Sequence, residues 1–442
     1  MSRKIVLIGA GSAMFTRGLV ADLLSSRELG EWELGLVDID PKALDVALNL
    51  TRRMVEIVKS PLKVTAGTAR KDVLPDADVV VTTIAVGGRR AWEADVLIPR
   101  KYGVYQPVGD TAMSGGLSRA LRMIPAMVAI AQDVKELCPK AFFFNYSNPM
   151  TPNCRAIRKV TGVPVVGLCH GVNAVEGYLA ECIGVPQGEV TSLGVGLNHF
   201  TLMYDFRHKG VDAWDRIRAK LPKLREHNPF SWGFFEAYRA YPAVHDRHVV
   251  EFFPERFPNG RYEGKTLGVD VFSFERTIED GDRIYREMRE QATGRSPIDP
   301  GLFNRGPGEH EQLLEMVSAI YADRRTVYSV NMPNHGVVPS LPDHAVLELP
   351  AVATARGFRQ IYVGDFPERL AALLTKHIAR IEVTVEAALT GERDLFVEAL
   401  LLDGSVQDRA TAEKLADELI AAHWQNLPQF GKRGDAVPSH TC

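Results

Sequence analysis

Short apolar runs alternate with longer amphipathic stretches through the first two hundred residues. The runs near 4–9, 33–38, 78–84, 141–145, 163–168 and 190–197 read as buried strands. The stretches near 15–26, 41–59, 117–136, 151–160 and 172–183 place apolar residues at helical spacing. Asp40 and Pro41 give the second of these an N-cap and a first-turn proline. Strand and helix in alternation predict an α/β fold with a doubly wound sheet. Residues 165–199 in particular predict a strand–helix–strand crossover with parallel strands.

The texture changes after residue 200. A polar and aromatic region extends to about 265, followed by charged helical stretches at 271–293 and 308–323. An antiparallel pair is predicted from 325–331 and 345–349, joined by a Pro-, His- and Gly-rich connection. Helices at 366–389, 394–402 and 410–424 complete the pattern, and the tail 425–442 reads as loosely held. Two domains are therefore expected: 1–200, a cofactor-binding sheet domain, and 201–442, an α+β domain for substrate and subunit contacts.

Composition narrows the function classes. A chain of 442 residues with 45% hydrophobic content can bury a large core, and its net charge of −3 gives no basic footprint for nucleic acid. No apolar run reaches membrane-spanning length, and the first residues lack a signal-peptide pattern. Five scattered cysteines make no disulfide framework. A cytoplasmic protein without nucleic-acid or membrane partners is expected, and an unpaired, useful thiol suits that reducing compartment.

Candidate chemistry sits at predicted strand ends, where open α/β sheets bind their ligands. Gly9-Ala10-Gly11-Ser12 joins the first strand to the first helix. Glycines there let backbone approach a pyrophosphate, although Met14 stands where the full dinucleotide fingerprint has a third glycine. Asp38 closes the second strand at the spacing of a ribose partner and favours NAD over NADP. Cys169 and His199 end the two strands of the expected crossover, and a thiolate beside an imidazole suits a transition metal. Asn148, in Asn145-x-x-Asn148-Pro149, is placed either to cap the next helix or to reach the cofactor and substrate cleft. Asp110 precedes Gly115-Gly116 and a helix bearing Arg119 and Arg122, a pattern that suggests a mobile covering loop. Tyr241 to His248 concentrates two histidines, an acid and an arginine within a few positions.

Together these residues resemble glycoside hydrolase family 4, the NAD- and metal-dependent glycosidases related in fold to lactate and malate dehydrogenases. The resemblance covers nearly the whole chain and rests on Gly-Ala-Gly-Ser at 9–12, Asp38, Asn145-x-x-Asn148-Pro149, Cys169-His170-Gly171, Asn198-His199 and Asn331-Met332-Pro333-Asn334. It implies a Rossmann-type N-terminal domain, NAD held through Gly9, Gly11, Ser12, Asp38 and Asn148, and Mn2+ or another divalent ion held by Cys169 and His199. It implies sugar contacts from Asn148 and Asn198. His170 falls beside the metal, where some branches carry a proposed acid, and Asp110 matches an acid lining the sugar site. A homodimer or homotetramer is implied as well.

The chain departs from the phospho-glycosidase branches, which place a tyrosine at the base position within the loop matched by 241–248. Here Asp246 is the nearer candidate base and Tyr241 the weaker one. The run His245-Asp246-Arg247-His248 looks most like the α-galacturonidase and α-galactosidase side. An unphosphorylated α-glycoside of an anionic sugar such as a uronic acid is expected, with Arg247 and His248 giving positive charge to its carboxylate. The implied reaction is NAD-dependent oxidation at C3, proton loss at C2, elimination, water addition and re-reduction, an exception to two-carboxylate hydrolysis. An α-galactosidase, α-glucosidase or sulfosugar glycosidase of the same mechanism is the nearest alternative. An NAD-dependent hydroxy-acid dehydrogenase or a non-enzymatic NAD-binding sensor would use the same fold.

Overall fold

The computed structural model describes residues 3–26, 31–303 and 312–431. The start of the helix expected at 308 and most of the C-terminal tail lie outside them. Strands β1 (Arg3–Ile8), β2 (Trp32–Val37), β3 (Lys63–Gly67), β4 (Val79–Thr82), β5 (Phe142–Asn145) and β6 (Val165–Gly167) pair in parallel in the order β6-β5-β4-β1-β2-β3. Helices α1 (Thr16–Ser25), α2 (Pro41–Val58), α3 (Arg70–Val73), α4 (Gly88–Arg100), α5 (Met113–Leu137) and α6 (Met150–Thr161) connect them. The doubly wound reading holds, because strands such as Val79–Thr82 are buried on both faces, as a parallel sheet between helices demands. Asp40 caps α2 as expected, accepting from the Lys42 N–H at 2.8 Å.

The crossover from 165 to 199 is corrected. Helix α7 (Gly171–Ile183) does lead from β6 to β7 (Val190–Leu197), but the strands are not neighbours. Two strands from the second half of the chain, Val327–Pro333 and Val346–Thr354, lie between them. Every pairing across that gap is antiparallel, so β7 runs opposite to β6. Local spacing could not reveal this insertion, which comes from 130 or more residues downstream. The antiparallel pair itself was legible, with Asn331 opposite Glu348.

The sheet continues beyond β7 into β8 (Phe200–His208) and then Tyr241–Ala243, giving 13 strands in all. The boundary expected at residue 200 thus falls inside the β7–β8 hairpin, and the second half of the chain completes the sheet begun by the first. One row crosses it: Ile8, Thr82, Asn145, Gly167, Asn331, Glu348, Gly196 and Thr201 are successive register partners. Cys169 and His199 each stand a few residues beyond that row. Because β7 runs opposite to β6, the two chain segments leave that row in opposite directions.

Helix α5 is buried along most of its length, and its first turns are pressed onto the preceding loop. A Cβ at Gly116 would lie 2.4 Å from the Thr111 carbonyl carbon, and one at Gly115 would lie 2.8 Å from the Gly109 carbonyl oxygen. The glycines read as a mobile covering loop are instead close-packing positions. Arg122 is buried too, in a bidentate ion pair with Asp95 on α4.

Candidate active site

Four chain segments converge on one polar cluster. The loop before α5 brings Asp110 and Thr111, the turn after β5 brings Asn148, the β7–β8 turn brings Asn198 and His199, and the short helix His245–Val249 brings His248. Asp110, His199 and His248 each offer one ligand atom, all within 4.8 Å of one another. The two imidazole rings lie 4.2 Å apart between centroids. His199 adopts a left-handed φ of 66°, which turns the hairpin tightly and is uncommon outside glycine and asparagine.

Thr111 fixes the proton pattern. Its hydroxyl donates to Asp110 Oδ1 at 2.7 Å, and its oxygen lies 3.0 Å from His199 Nδ1. A threonine has one proton to give, so with that proton on Asp110 the second contact has His199 Nδ1–H as donor. The Nε2 lone pair is then left for a metal, the arrangement in which a neighbour of one ring nitrogen sets the ligand at the other. Asn148 Nδ2 donates to Asp110 Oδ2 at 2.9 Å, so both carboxylate oxygens are held. Burial pushes the Asp110 carboxyl up, but His199, His248, Arg119 and the Thr111 bond together hold it below the usual range. Burial lowers His199, and burial together with His199 and Arg247 holds His248 well down. Both rings are thus neutral near pH 7, the form that binds a cation.

A group that fills this centre would find partners ready. Asn148 Oδ1, Asn198 Oδ1 and His248 Nδ1 are buried without a hydrogen bond, a costly state that a bound ligand would relieve. The donor set of one carboxylate and two imidazoles suits a divalent transition ion. At the other site, Gly11 N–H donates to Asp38 Oδ2 at 2.8 Å, and a Cβ on Gly11 would meet Ala43 at 2.6 Å and that oxygen at 2.9 Å. Gly9, at φ 95°, turns the loop beneath β4. Ser12 accepts from the Phe15 N–H at 3.3 Å, holding the turn into α1. This backbone cradle fits a dinucleotide phosphate, and Asp38 is tied to it directly.

The remaining expectations fare differently. Cys169 lies two residues beyond β6, accepts from the Gly171 N–H at 3.4 Å, and is not one of the three clustered residues. His170 is exposed at the start of α7, and its charge is felt by His199, His248 and Glu348. Asn148 does not cap α6, which has no side-chain cap; it binds Asp110 instead. Neutral His248 cannot supply the positive charge expected of it, because burial disfavours its cation. Arg247 donates through Nη2 to Thr277 at 2.8 Å, and its Nε is buried without a partner.

Asp246 is placed as an anchor. It is fully buried, and its carboxylate accepts from the Phe230 N–H at 2.9 Å, the Ser231 N–H at 2.7 Å and the Tyr262 hydroxyl. Those amides open the helix Pro229–Tyr238, whose N-terminal donors need such an acceptor. Three donors thus hold this carboxylate in place. Tyr241 sits in an aromatic core with Trp232 and Tyr178, its hydroxyl 2.9 Å from His245 Nδ1.

Three participants escaped the sequence reading. Thr111 carried no signal beyond its position next to Asp110. Glu251 and Glu348 did: each is a lone acid inside an apolar run, Val249-Val250-Glu251-Phe252-Phe253 and Val346-Leu347-Glu348-Leu349. Glu251 accepts from the Val108 and Gly109 N–H groups, and burial pushes its carboxyl up to about 8. Glu348 accepts from the Thr201 hydroxyl at 2.7 Å, and burial pushes it up to about 7.

Comparison with known proteins gives the family of the chain. Residues 4–185 match the family described as Family 4 glycosyl hydrolase, and 194–406 match the Family 4 glycosyl hydrolase C-terminal domain. An alpha-glucosidase of Erwinia rhapontici is 33% identical, with 96% of this chain and 99% of that one covered. An alpha-galacturonidase of Bacillus subtilis is 30% identical over 96% of this chain and 98% of its own. Among solved structures, a 6-phospho-alpha-glucosidase from gut microorganisms, in complex with NAD and glucose-6-phosphate, superposes with a TM-score of 0.84 at 25% identity, covering 96% of this chain and 99% of that one. A malate dehydrogenase of Cryptosporidium parvum shares the fold at a TM-score of 0.54 and 16% identity, covering 88% and 99%. With both halves matched, the chain belongs to glycosyl hydrolase family 4 and is a glycosidase.

Proposed function

We propose that this enzyme hydrolyses an unphosphorylated α-glycoside, with a uronide as the preferred substrate, using NAD and a divalent ion such as Mn2+. The observation that carries the reading is the Asp110–His199–His248 cluster, flanked by buried amide oxygens of Asn148 and Asn198 that have no partner. Such a centre suits a vicinal diol, whose oxygens can meet a cation while its hydroxyl protons meet the amides. Asp110, His199 and His248 would hold the ion, with Cys169 as the further ligand expected from sequence. Gly9, Gly11, Ser12 and Asp38 would hold the dinucleotide. When bound, the dinucleotide supplies a reversible hydride acceptor for C3 and the ion a Lewis acid for the C2 and C3 oxygens.

The chain's own residues position the diol and manage protons. Asn148 and Asn198 orient the hydroxyls. Asp246 and Tyr241 are bound up in structural contacts, so proton transfer is assigned to His170, which is exposed and electrostatically tied to the cluster. Arg119 supports an anionic sugar. It is buried beside Asp110, with Nε on the Asn148 carbonyl at 3.0 Å, and its Nη atoms make no hydrogen bond among the described residues. The neutrality of His248 favours a second reading, an uncharged α-glucoside or α-galactoside.

Nitrophenyl α-glycosides decide between them. Galacturonide, glucuronide, glucoside and galactoside are assayed with NAD+, Mn2+ and a thiol reductant, then with each omitted. Cleavage of the uronides that needs all three is the expected result, and faster cleavage of neutral sugars selects the second reading. Turnover in D2O should place deuterium at C2 of the released sugar without stoichiometric NADH. Product with C2 wholly protonated would exclude elimination, and NADH accumulating without cleavage would indicate a dehydrogenase.

A further inference from the structure

Glu251 lies outside the ligand cluster yet joins two of the four chain segments that build it. Its side chain is 1% exposed. One oxygen, Oε1, accepts from two consecutive amides, Val108 N–H at 2.7 Å and Gly109 N–H at 2.8 Å. The next residue is Asp110, one corner of the cluster. Glu251 also stands three residues beyond His248, another corner, where the helix His245–Val249 runs straight into the turn Val250–Phe252. Residues three apart on such a turn share a face. The Glu251 carboxyl therefore bridges the backbone that carries Asp110 and the helix that carries His248.

The far side of the loop is fixed as well. Gly109 has φ 61°, and a Cβ there would lie 2.6 Å from Val96 Cγ2 on α4. The peptide is thus pinned between α4 and the Glu251 carboxyl, with little freedom to adjust. A metal site tolerates only small errors in ligand placement, and groups that hold ligands in position count nearly as much as the ligands.

We infer that Glu251 is a positioning residue that sets the distance between Asp110 and His248 and so tunes divalent-ion affinity at the cluster. This rests on the proposed metal reading of Asp110, His199 and His248. Nothing in it requires Glu251 to touch substrate or ion. What it requires is an acceptor oxygen at the right reach.

The test compares three variants of the full chain, stripped with chelator and titrated with MnCl2 by calorimetry. Glu251→Gln keeps an acceptor oxygen at the same reach and should bind Mn2+ within about threefold of the parent. Glu251→Asp keeps the carboxyl group but withdraws the oxygen by one methylene, and should weaken binding by roughly 10- to 100-fold. Glu251→Met keeps the length without an acceptor and should resemble Glu251→Asp; it also serves if the aspartate variant does not fold. Thermal melts of each metal-free variant separate misfolding from misplacement. In the assay, loss of activity in Glu251→Asp should be restored by raising Mn2+, which a general structural defect would not permit.

Mn2+ binding by Glu251→Asp and Glu251→Met equal to the parent overturns the inference, as does a Glu251→Gln variant as weak as they are. His199→Ala provides the control. If the parent binds no Mn2+, or binds it equally well after His199→Ala, the metal reading itself falls and this inference with it. If His199→Ala abolishes binding while the Glu251 variants leave it intact, the inference alone is lost.

Discussion

Asn148 Nδ2 donates to Asp110 Oδ2 across 2.9 Å, tying the turn after β5 to the loop before α5. The bond gives Asn148 a job that helix capping would not, and it leaves Oδ1 buried without a partner, free for a ligand. Asn148→Ala should leave an Asp110 oxygen unpaired, a loss of about 1–3 kcal/mol, and lower kcat/KM at least in proportion. Mn2+ affinity should fall with it. A variant that melts earlier but binds Mn2+ and turns over like the parent would return Asn148 to a purely local structural role.

The two ligand sets make different demands. If Asp110, His199 and His248 hold the ion, His248→Ala should cost at least tenfold in Mn2+ affinity. Cys169→Ser, nearly isosteric, tests the thiolate expected from sequence, because a hydroxyl is a poor substitute ligand. Loss of Mn2+ binding in both variants would describe a four-residue centre with Cys169 as its sulfur member. Loss in His248→Ala alone would describe the three-residue cluster. Calorimetric titration of the two variants side by side distinguishes the outcomes, and loss in Cys169→Ser alone would remove His248 from the ligand set.

Much of the N-terminal sheet was legible because a parallel sheet covered on both faces requires continuous apolar runs, and β1, β2, β4 and β5 are such runs. The Gly9–Ser12 turn and Asp38 were legible together because a strand end, two glycines and an acid recur at fixed spacing. What could not be read was the pairing of β6 and β7, since the intervening strands come from Val327–Pro333 and Val346–Thr354. The role of Asp246 was hidden for a related reason. Its partners are backbone amides at Phe230 and Ser231, and no residue type announces a backbone donor. His248 was read as a cation because a sequence shows a histidine but not the burial and neighbouring charge that keep it neutral.

Buried Glu251 and Glu348 predict an unusual stability profile. Their carboxyls are pushed from 4.5 up to about 8 and about 7, respectively, by burial. Between those values and 4.5, the folded chain retains protons that the unfolded chain has released. Folding then takes up protons at these two carboxyls, so they make stability fall as pH rises toward 8. Below 6.5 the buried His199, His248 and His377, held below the ordinary histidine value, release protons on folding and act in the opposite sense. Asp95 and Asp110, held below the ordinary range, act in the opposite sense only at more acidic pH. Urea midpoints of the metal-free protein measured at pH 6.5 and 8 should show the decline, and Glu251→Gln with Glu348→Gln should flatten it. An unchanged slope in the double variant would place the origin of any decline elsewhere.

Asp246 provides the sharpest separation between a chemical and a structural assignment. As a base, it would need an open lone pair facing the sugar, and Asp246→Asn would abolish C2 exchange while leaving the fold untouched. The contacts argue otherwise: two amides at the start of the helix Pro229–Tyr238 and the Tyr262 hydroxyl converge on this one carboxylate. Asp246→Ala should strand those donors in the interior and cost roughly 2–4 kcal/mol of stability. Asp246→Asn keeps one acceptor oxygen and should lose less. Activity per folded molecule, with C2 deuterium uptake measured in D2O, should track the folded fraction in both variants. His170→Asn should do the reverse, keeping the melting temperature while losing C2 exchange. A fully folded Asp246→Asn protein with no C2 exchange would restore Asp246 as the base and remove His170 from that role.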